Sequence, residues 1–388
     1  MNPNENKGWW LSFAHTRGIS ASRKMDLLIR FVYGDQLSLP DALEMVYRDA
    51  SDPFLLTEKE REAIGRMLFE GSMRGAEALH LEQTGVQLIT VMEPAYPPIL
   101  KRLLKKNAPA LLYMRGNSQL LQLTTLGVEG VRDASPLSLR FTETVIRGAV
   151  ARGETIVAGV INPVEKKALD TALAIGGNAA VILAEGINLF KMPEYERFIA
   201  EGRLVLVSVF PASEERTLRT TMDRNMLLYD FCTHVFMAQS SAIGGSWDGA
   251  VNRLAKQPLY VRVESRGEEN FNNLLIANGG IAVDEYGVPG DFGPLQEYMH
   301  ALPDNPDLPF NTEHPHTAAE YVAFLRNRLA KMQTLCLSDF FKENHLPDRI
   351  RWQLENIFNF SPDIEKVRVG NKNVYSFKGA IPKQGSLF

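Results

Sequence analysis

The chain has 388 residues, of which 45% are hydrophobic and 23% are charged, so its composition is that of an ordinary globular protein long enough for two or three domains. A formal net charge of −4 excludes a protein coated in positive charge, although it leaves room for a local basic pocket. The two cysteines indicate neither a disulfide framework nor a zinc site, and no apolar run reaches the roughly 18 residues that span a bilayer. We therefore expect a soluble, cytoplasmic protein that needs no cofactor or metal.

Residues 1–85 are predicted to form an N-terminal helical domain, because their apolar residues recur at helical spacing. Thr57 with Glu60 three residues later has the pattern of a capping box at a helix start. The small-residue turn at residues 16–20 suits a helix-hairpin-helix that offers backbone N–H groups to a DNA phosphate. A plain packing module explains the same turn.

Residues 86–283 are predicted to form the core, which begins with two short strands on either side of a proline-rich turn. From residue 123 the pattern becomes strand, loop, helix, and then repeats. The first strand is predicted at 123–128 with a helix from about Ser138 to Ala151, and the second strand at 155–159 with a helix that opens at Asn162. This order is typical of a Rossmann-like, doubly wound and mostly parallel sheet.

The loop after the first of these strands is the candidate phosphate site. Gly130 lets the backbone approach an anion, and Arg132 offers a forked set of donors. Ser135 followed by Pro136 suits an N-cap and first helical turn, where free N–H groups and the helix dipole favour negative charge. The alternative is that glycines at strand ends are a common feature of α/β sheets.

The sheet is predicted to continue with strands at 204–210, 234–239, 259–263 and 281–283, and with a helix that starts at Arg224. Strand ends that carry glycine or small polar residues converge on one crevice at the carboxyl edge of such a sheet. The predicted DNA- and phosphate-binding residues of this crevice are Gly130, Arg132, Ser135, Lys166, Lys167, Lys191, Arg224, Asn225, Gly244, Gly245 and Ser246.

Residues 284–316 contain seven acidic residues, six prolines and no lysine or arginine, which indicates a linker. Residues 317–388 then predict three helices and a hairpin centred on Gly370 and Asn371, the outline of a winged helix. Eleven basic residues against seven acidic ones make this segment mildly basic. Its predicted DNA contacts are Arg349, Arg351, Lys366, Arg368 and Lys372, although winged helices also dock proteins.

Residues 86–283 resemble the DNA-processing protein A family (DprA, or Smf). Residues 130–135 read G-V-R-D-A-S, which is similar to the family's G-S-R-x-x-S with Val131 in place of serine. Further matching positions are Tyr96, Pro97, Leu100, Pro109, Leu112, Tyr113, Gly116, Asn117, Gly159, Arg224, Asn225, Gly245, Ser246, Leu274, Leu275, Ile276 and Gly279. An N-terminal helical domain and a C-terminal winged helix complete a layout that family members show.

The resemblance implies a non-catalytic protein that binds single-stranded DNA in a basic crevice for DNA processing or recombination, as a homodimer and with a recombinase as a possible partner. Duplex DNA would be bound through the winged helix. The departures from the family pattern indicate a divergent member, with a role such as defence against foreign DNA. Residues 162–165 replace R-G-I-D, Asp223 and Met226 replace two arginines, and Gln239 stands where an acid is usual.

Two other functions remain open on the sequence. The same sheet could bind a small nucleotide as a sensor or as a phosphoribohydrolase, with Glu165 near a ribose. The core could also be a degenerate scaffold whose winged helix does the binding. No pair of nucleophile and base stands out, since Ser135 and Ser246 have no histidine nearby in the sequence.

Overall fold

The computed structural model describes residues 3–48, 54–240, 245–254, 256–264, 270–292, 318–344, 351, 354–355, 357–359, 361, 363–369 and 372–378. The chain divides into two compact units, Met1–Val235 and Phe236–Phe388.

Helices fill the start of the first unit, as the sequence predicts. They are α1 (Pro3–His15), α2 (Ala21–Leu27), which continues as the wider turn Leu28–Gly34, α3 (Leu39–Arg48), α4 (Glu58–Gly71) and α5 (Gly75–Gln83). The predicted capping box is confirmed, because Thr57 accepts a hydrogen bond from the Glu60 amide while the Glu60 carboxylate accepts one from the Thr57 amide. Buried side chains such as Leu11, Phe13 and Phe31 form the core of these helices.

The sheet of the first unit contains six strands in the order β1, β2, β6, β5, β4, β3. The strands are β1 (Val86–Thr90), β2 (Leu111–Gly116), β3 (Thr125–Glu129), β4 (Thr155–Ala158), β5 (Asn178–Ile182) and β6 (Leu204–Ser208). Strands β3 to β6 pair in parallel, whereas β1 and β2 are antiparallel to their neighbours. Every residue of β3, β4 and β6 is buried, as expected for parallel strands covered on both faces.

Four helices connect these strands and a fifth follows β6: α6 (Pro98–Leu104), α7 (Pro136–Ala151), α8 (Pro163–Ala174), α9 (Pro193–Ala200) and α10 (Leu218–Asp230). The predicted start of α10 at Arg224 is wrong, because the helix begins six residues earlier. Thr217 caps it and forms a reciprocal pair of hydrogen bonds with Thr220. Arg224 consequently lies in the middle of the helix, one turn and a half beyond its start.

The alternation of strands and helices continues from the end of the first unit through the second. Strand β7 (His234–Met237), α11 (Gly245–Leu254), β8 (Tyr260–Arg262), α12 (Asn272–Ala277) and β9 (Ile281–Val283) follow in chain order, and β7, β8 and β9 pair in parallel. The buried Asn272 ties the strand ends together. Its amide nitrogen donates to the carbonyls of Ala238 (3.3 Å) and Arg262 (2.8 Å), and its oxygen accepts from the Ser240 amide at 2.7 Å.

The C-terminal segment has a core of its own. It comprises α13 (Ala318–Met332), β10 (Leu335–Cys336), α14 (Leu337–Asn344), β11 (Ile364–Val369) and β12 (Lys372–Phe377). The predicted hairpin is confirmed by antiparallel pairing of β11 with β12, while β10 pairs on the other side of β12. Buried residues packed together here are Leu325, Leu329, Leu335, Leu337, Phe340, Phe341, Leu354, Phe358, Ile364 and Tyr375.

The predicted α/β class with a mostly parallel sheet is confirmed. The winged helix and the boundaries of the four predicted domains remain predictions, and most of the predicted linker, residues 293–316, lies outside the described residues. Within the described parts of the chain, none of the helices has the length and apolar character needed to cross a membrane.

Candidate nucleic-acid interface

The loop at residues 130–135 connects the carboxyl end of β3 to the start of α7. Ser135 caps α7 by accepting a hydrogen bond from the Ser138 amide at 3.1 Å, and Pro136 occupies the first turn, as the sequence predicts. The first turn of α7 contains no acidic residue. The positive end of this 16-residue helix is therefore not neutralised from within.

Gly130 is buried, and its nearest neighbour is a side chain of α8. A Cβ atom at this position would lie 2.4 Å from Cγ2 of Val164, which is too close for any substituted residue. The packing of the β3 end against α8 therefore requires glycine here. The predicted role of Gly130 in the approach of an anion stays a prediction.

Arg132 is exposed at the tip of the loop. Within the described part of the chain, no side chain or carbonyl accepts a hydrogen bond from its guanidinium group, and no carboxylate pairs with it. A forked donor set that is not committed to the protein is the arrangement needed to take up a phosphate from solution.

The start of α8 differs from that of α7 because it holds an acid of its own. Asn162 caps the helix by accepting from the Glu165 amide at 2.9 Å, and Glu165 Oε2 accepts from the Ile161 amide at 2.9 Å. The Glu165 carboxylate thus occupies the position that a bound anion would take at this helix end.

Glu165 and Arg224 form a buried ion pair between α8 and α10. Arg224 Nη1 lies 2.6 Å from Glu165 Oε1 and Nη2 lies 3.4 Å from Oε2, with 1% and 2% of the side chains exposed. The backbone of Gly159 lies directly against this pair, since a Cβ there would be 2.3 Å from Arg224 Nη1 and 2.5 Å from Glu165 Oε2. The pair fixes the loop after β4 to α10.

Glu129, the last residue of β3, is a second buried carboxyl beside this pair. Burial raises its pKa well above the usual value, the negative charge of Glu165 raises it further, and the positive charge of Arg224 lowers it. The Glu129 carboxyl therefore holds its proton to a higher pH than a solvent-exposed glutamic acid does.

The predicted lysines of the crevice have different surroundings. Lys167 pairs with Glu143 of α7 at 2.6 Å, and Lys166 contacts Asp170 and the Tyr195 hydroxyl, the latter at 2.9 Å. Lys191 lines a separate pocket of about 400 Å³ beside β1 and β2. The predicted basic track that joins these lysines to Arg132 stays a prediction.

The remaining predicted core residues lie on α10 and after β7. Arg224 is committed to the ion pair, so a direct contact between Arg224 and a phosphate stays a prediction that would require the pair to open. Asn225 lies beside it and has a buried Oδ1 without a described hydrogen-bond partner. Gly245 and Ser246 begin α11 in the second unit, and Gly244 lies outside the described residues.

The exposed face of α10 has lost charge where the family resemblance implies arginines. Asp223 pairs with Arg219 at 3.7 Å, and Met226 is 45% exposed. Met222 and Leu218, one and two turns earlier, are also exposed. This face is apolar apart from the ion pair, in which the charge of Asp223 cancels that of Arg219. It therefore adds no net positive charge to the site.

Among the predicted C-terminal contacts, Lys366 and Arg368 are exposed on β11. Lys372 Nζ lies 2.8 Å from Asp339 Oδ1 of α14, and this contact lowers the pKa of Asp339 and raises that of Lys372. Arg351 is a half-buried helical residue, and Arg349 lies outside the described residues.

Sequence reasoning missed Glu129 altogether and placed Glu165 and Arg224 in separate roles. The signal for the pair was weak, because the two residues are 59 positions apart. The available hint was Gly159, a glycine immediately after a buried strand, since such a residue marks a close approach by other atoms.

Comparison with known proteins shows which family the stretch with this sheet and loop resembles. A family model described as DNA recombination-mediator protein A matches residues 87–279. The chain belongs to the DprA/Smf family. The match begins in β1 and ends just after α12, so it covers the loop and the buried ion pair.

Two curated members of the DprA/Smf family show how far the sequence of this chain differs from those of its relatives. DNA processing protein DprA of Streptococcus pneumoniae is 26% identical over 160 residues, which cover 40% of this chain and 55% of that protein. Protein Smf of Escherichia coli is 27% identical over 238 residues, which cover 59% of this chain and 62% of that protein. The chain thus matches between about half and two thirds of the length of these relatives.

Solved structures of DprA proteins show the shared fold. The crystal structure of DprA from Streptococcus pneumoniae aligns with a TM-score of 0.57 and 19% identity over 71% of this chain and 94% of that chain. DprA from Helicobacter pylori, described as having a unique single-stranded DNA binding mode, aligns over 57% of this chain with a TM-score of 0.43, and we transfer no feature from it.

Proposed function

We propose that this DprA/Smf protein binds single-stranded DNA without catalysis, in DNA processing, recombination or the handling of foreign DNA. The observation that carries the proposal is the loop at residues 130–135, where an uncommitted Arg132 stands beside the unneutralised start of α7. A strand phosphate at this position would receive the guanidinium donors and the free N–H groups of the helix.

The buried pair limits where a DNA strand can bind. Glu165 already supplies the anion at the start of α8, and Arg224 supplies the counter-charge. The start of α8 therefore cannot take up a phosphate, and the DNA strand would contact the protein mainly at the start of α7. Fewer phosphate contacts mean weaker binding and a shallower dependence on salt.

The same geometry makes a phosphoribohydrolase the weaker alternative. A hydrolytic carboxylate must reach the substrate, whereas Glu165 is 1% exposed and bound to Arg224, and Glu129 is 4% exposed. A nucleotide-binding sensor needs no such group, so a panel of nucleotides belongs in the binding test.

The proposal extends to partners that the resemblance implies. Four further points remain predictions for this chain. They are that it forms a homodimer, that it works with a recombinase, that its C-terminal winged helix binds duplex DNA, and that it is located in the cytoplasm.

Replacing Arg132 with alanine should weaken binding of a labelled single-stranded oligonucleotide and reduce the log–log salt slope by about 0.7, the value for one lost phosphate contact. Fluorescence anisotropy over a salt series measures both quantities. Because Arg132 is exposed, the melting temperature should change little.

Arg147→Ala is the matched control, since it removes the same charge from an exposed position on α7 roughly 16 Å further along the helix. Equal losses in the two variants, or no loss in Arg132→Ala, would show that the loop does not hold the strand. Tighter binding of a mononucleotide than of the oligonucleotide would favour the sensor.

A further inference from the structure

The N-terminal helices form an open basic pocket that the core site does not use. Its volume is about 260 Å³, and it lies where the end of α1 and the turn after it meet α4 and α5. The residues that line it are His15, Thr16, Arg17, Arg66, Glu70 and Arg74. Three arginines and a single carboxylate make it a candidate site for an anion.

The turn and Arg66 hold each other in place. Arg66 Nη2 donates to the Arg17 carbonyl at 2.7 Å. Gly18, the next residue, has a φ of +106°, and a Cβ there would lie 3.2 Å from Arg66 Nη2. Because this backbone conformation favours glycine, the sequence itself provides for the close contact of the turn with α4.

The positive charges of the pocket are unequally neutralised. Arg74 is engaged with Glu77 through two hydrogen bonds of 2.8 and 3.0 Å. Arg17 and Arg66 are exposed and form no ion pair with any described residue. Two guanidinium groups therefore remain available on the pocket wall.

Two titratable groups at the pocket differ in charge: Lys24 is a cation whose pKa burial lowers to about 8, and His15 is neutral. Lys24 is buried and donates to the carbonyls of Ala14 and Thr16 at 3.0 and 2.9 Å. His15 contributes no charge, because its Nε2 lies 2.8 Å from the Tyr113 hydroxyl and because burial, followed by the charges of Arg74 and Lys24, lowers its pKa to about 3.

We propose that this pocket binds a phosphodiester group of a nucleic-acid strand, with Arg17 and Arg66 as its ligands. The pocket is larger than a phosphate group and opens to solvent, so a phosphate group can enter it while it is still attached to a strand. Glu70 on the wall disfavours a doubly charged free phosphate more than a singly charged phosphodiester. The choice of a DNA strand as the source of the phosphodiester rests on the proposed function.

The first test is the replacement Arg17→Glu in the full chain. The Arg17 side chain makes no described hydrogen bond, so the fold should persist, while affinity for a short labelled oligothymidylate should fall roughly tenfold and the salt slope should fall by at least about 0.7. Arg48→Glu is the control, because it makes the same charge reversal at an exposed position of α3 outside the pocket. Equal losses in the two variants would overturn the proposal.

The second test reads the pocket directly and separates it from the core site. The Nε–H NMR signals of Arg17 and Arg66 should shift on addition of the oligothymidylate but not of inorganic phosphate at the same phosphate concentration. Shifts with inorganic phosphate alone, or with neither ligand, would overturn the proposal. If the signals shift while Arg132→Ala binds the oligonucleotide normally, the proposed core site is wrong and the N-terminal pocket is supported. If Arg132→Ala binds the oligonucleotide more weakly while the signals do not shift, the N-terminal pocket is wrong and the core site is supported.

Discussion

At the scale of single residues, the arginines of the core divide into one that is available and one that is committed. Arg132 faces solvent, whereas Arg224 is buried against Glu165. The two were indistinguishable as sequence, because a motif shows the residue type but not what lies 59 positions away along the chain. The difference in burial indicates that Arg132 is available to bind DNA and that Arg224 has a structural role.

Breaking the buried pair should be costly. Arg224→Met leaves the Glu165 carboxylate buried without its partner, and we expect a loss of about 3–5 kcal/mol in the free energy of unfolding. Glu165→Gln with Arg224→Met should lose less than the sum of the two single changes. Urea denaturation of the single and double variants measures the coupling.

The half-buried, solvent-accessible pair of Lys167 with Glu143 provides the comparison. Lys167→Met should produce a much smaller loss, because water screens that contact. A similar loss at both pairs would contradict the structural role assigned to Glu165 and Arg224.

The buried Glu129 carboxyl predicts that the stability of the fold decreases as pH rises. Because the folded protein holds this proton more tightly than the unfolded chain does, its stabilising contribution is complete below the ordinary glutamic acid pKa of about 4.3 and is lost as pH rises through the folded value. Glu129→Gln should therefore flatten the decline of stability with rising pH. Melting temperatures between about pH 5 and pH 8 test this, with the exposed Glu62→Gln as the control. A parallel decline in wild type and Glu129→Gln would show that Glu129 is ionised in the fold.

At the scale of elements, the sequence predicted the strands well and one helix start poorly. Short apolar runs bounded by glycine or polar residues are typical of buried parallel strands, and β4 and β9 lie where those runs predicted them. The start of α10 was missed because its first turns carry Leu218 and Met222 on an exposed face, so the apolar pattern did not mark the buried side. Thr217 was the usable signal for the cap.

The loop and its helix could also be predicted from local residues alone. Ser135 and Pro136 specify a helix start without reference to the rest of the chain, and the structure places them there. The pocket of the N-terminal helices required three elements to meet, so the sequence offered only the hint of the small-residue turn near Gly18.

At the scale of the whole molecule, the C-terminal segment should be separable. Its buried core is made of its own residues between Leu325 and Tyr375, and the preceding residues 293–316 have the composition of a linker. A chain that ends at residue 301 should fold, retain binding of single-stranded DNA and lose binding of duplex DNA. Anisotropy with both forms of DNA measures this.

If the shortened chain bound duplex DNA as well as the full chain does, the basic residues of β11, Lys366 and Arg368, would instead form a docking surface for a partner protein. A full-length Lys366→Glu variant separates the effect of charge from that of truncation, because it alters one exposed side chain and leaves the segment in place.

The close contact of Gly159 with the buried pair limits the order in which this sequence can change over evolutionary time. A Cβ atom at position 159 would lie 2.3 Å from Arg224 Nη1 and 2.5 Å from Glu165 Oε2, so a side chain there must displace the buried pair and is disfavoured while both partners are present. Loss of either partner first strands a buried charge, and a viable lineage must pass through a neutral pair before position 159 is free to vary. Positions 159, 165 and 224, which span 66 residues, are therefore expected to change together. A design that uses Arg224 to bind DNA must redesign all three.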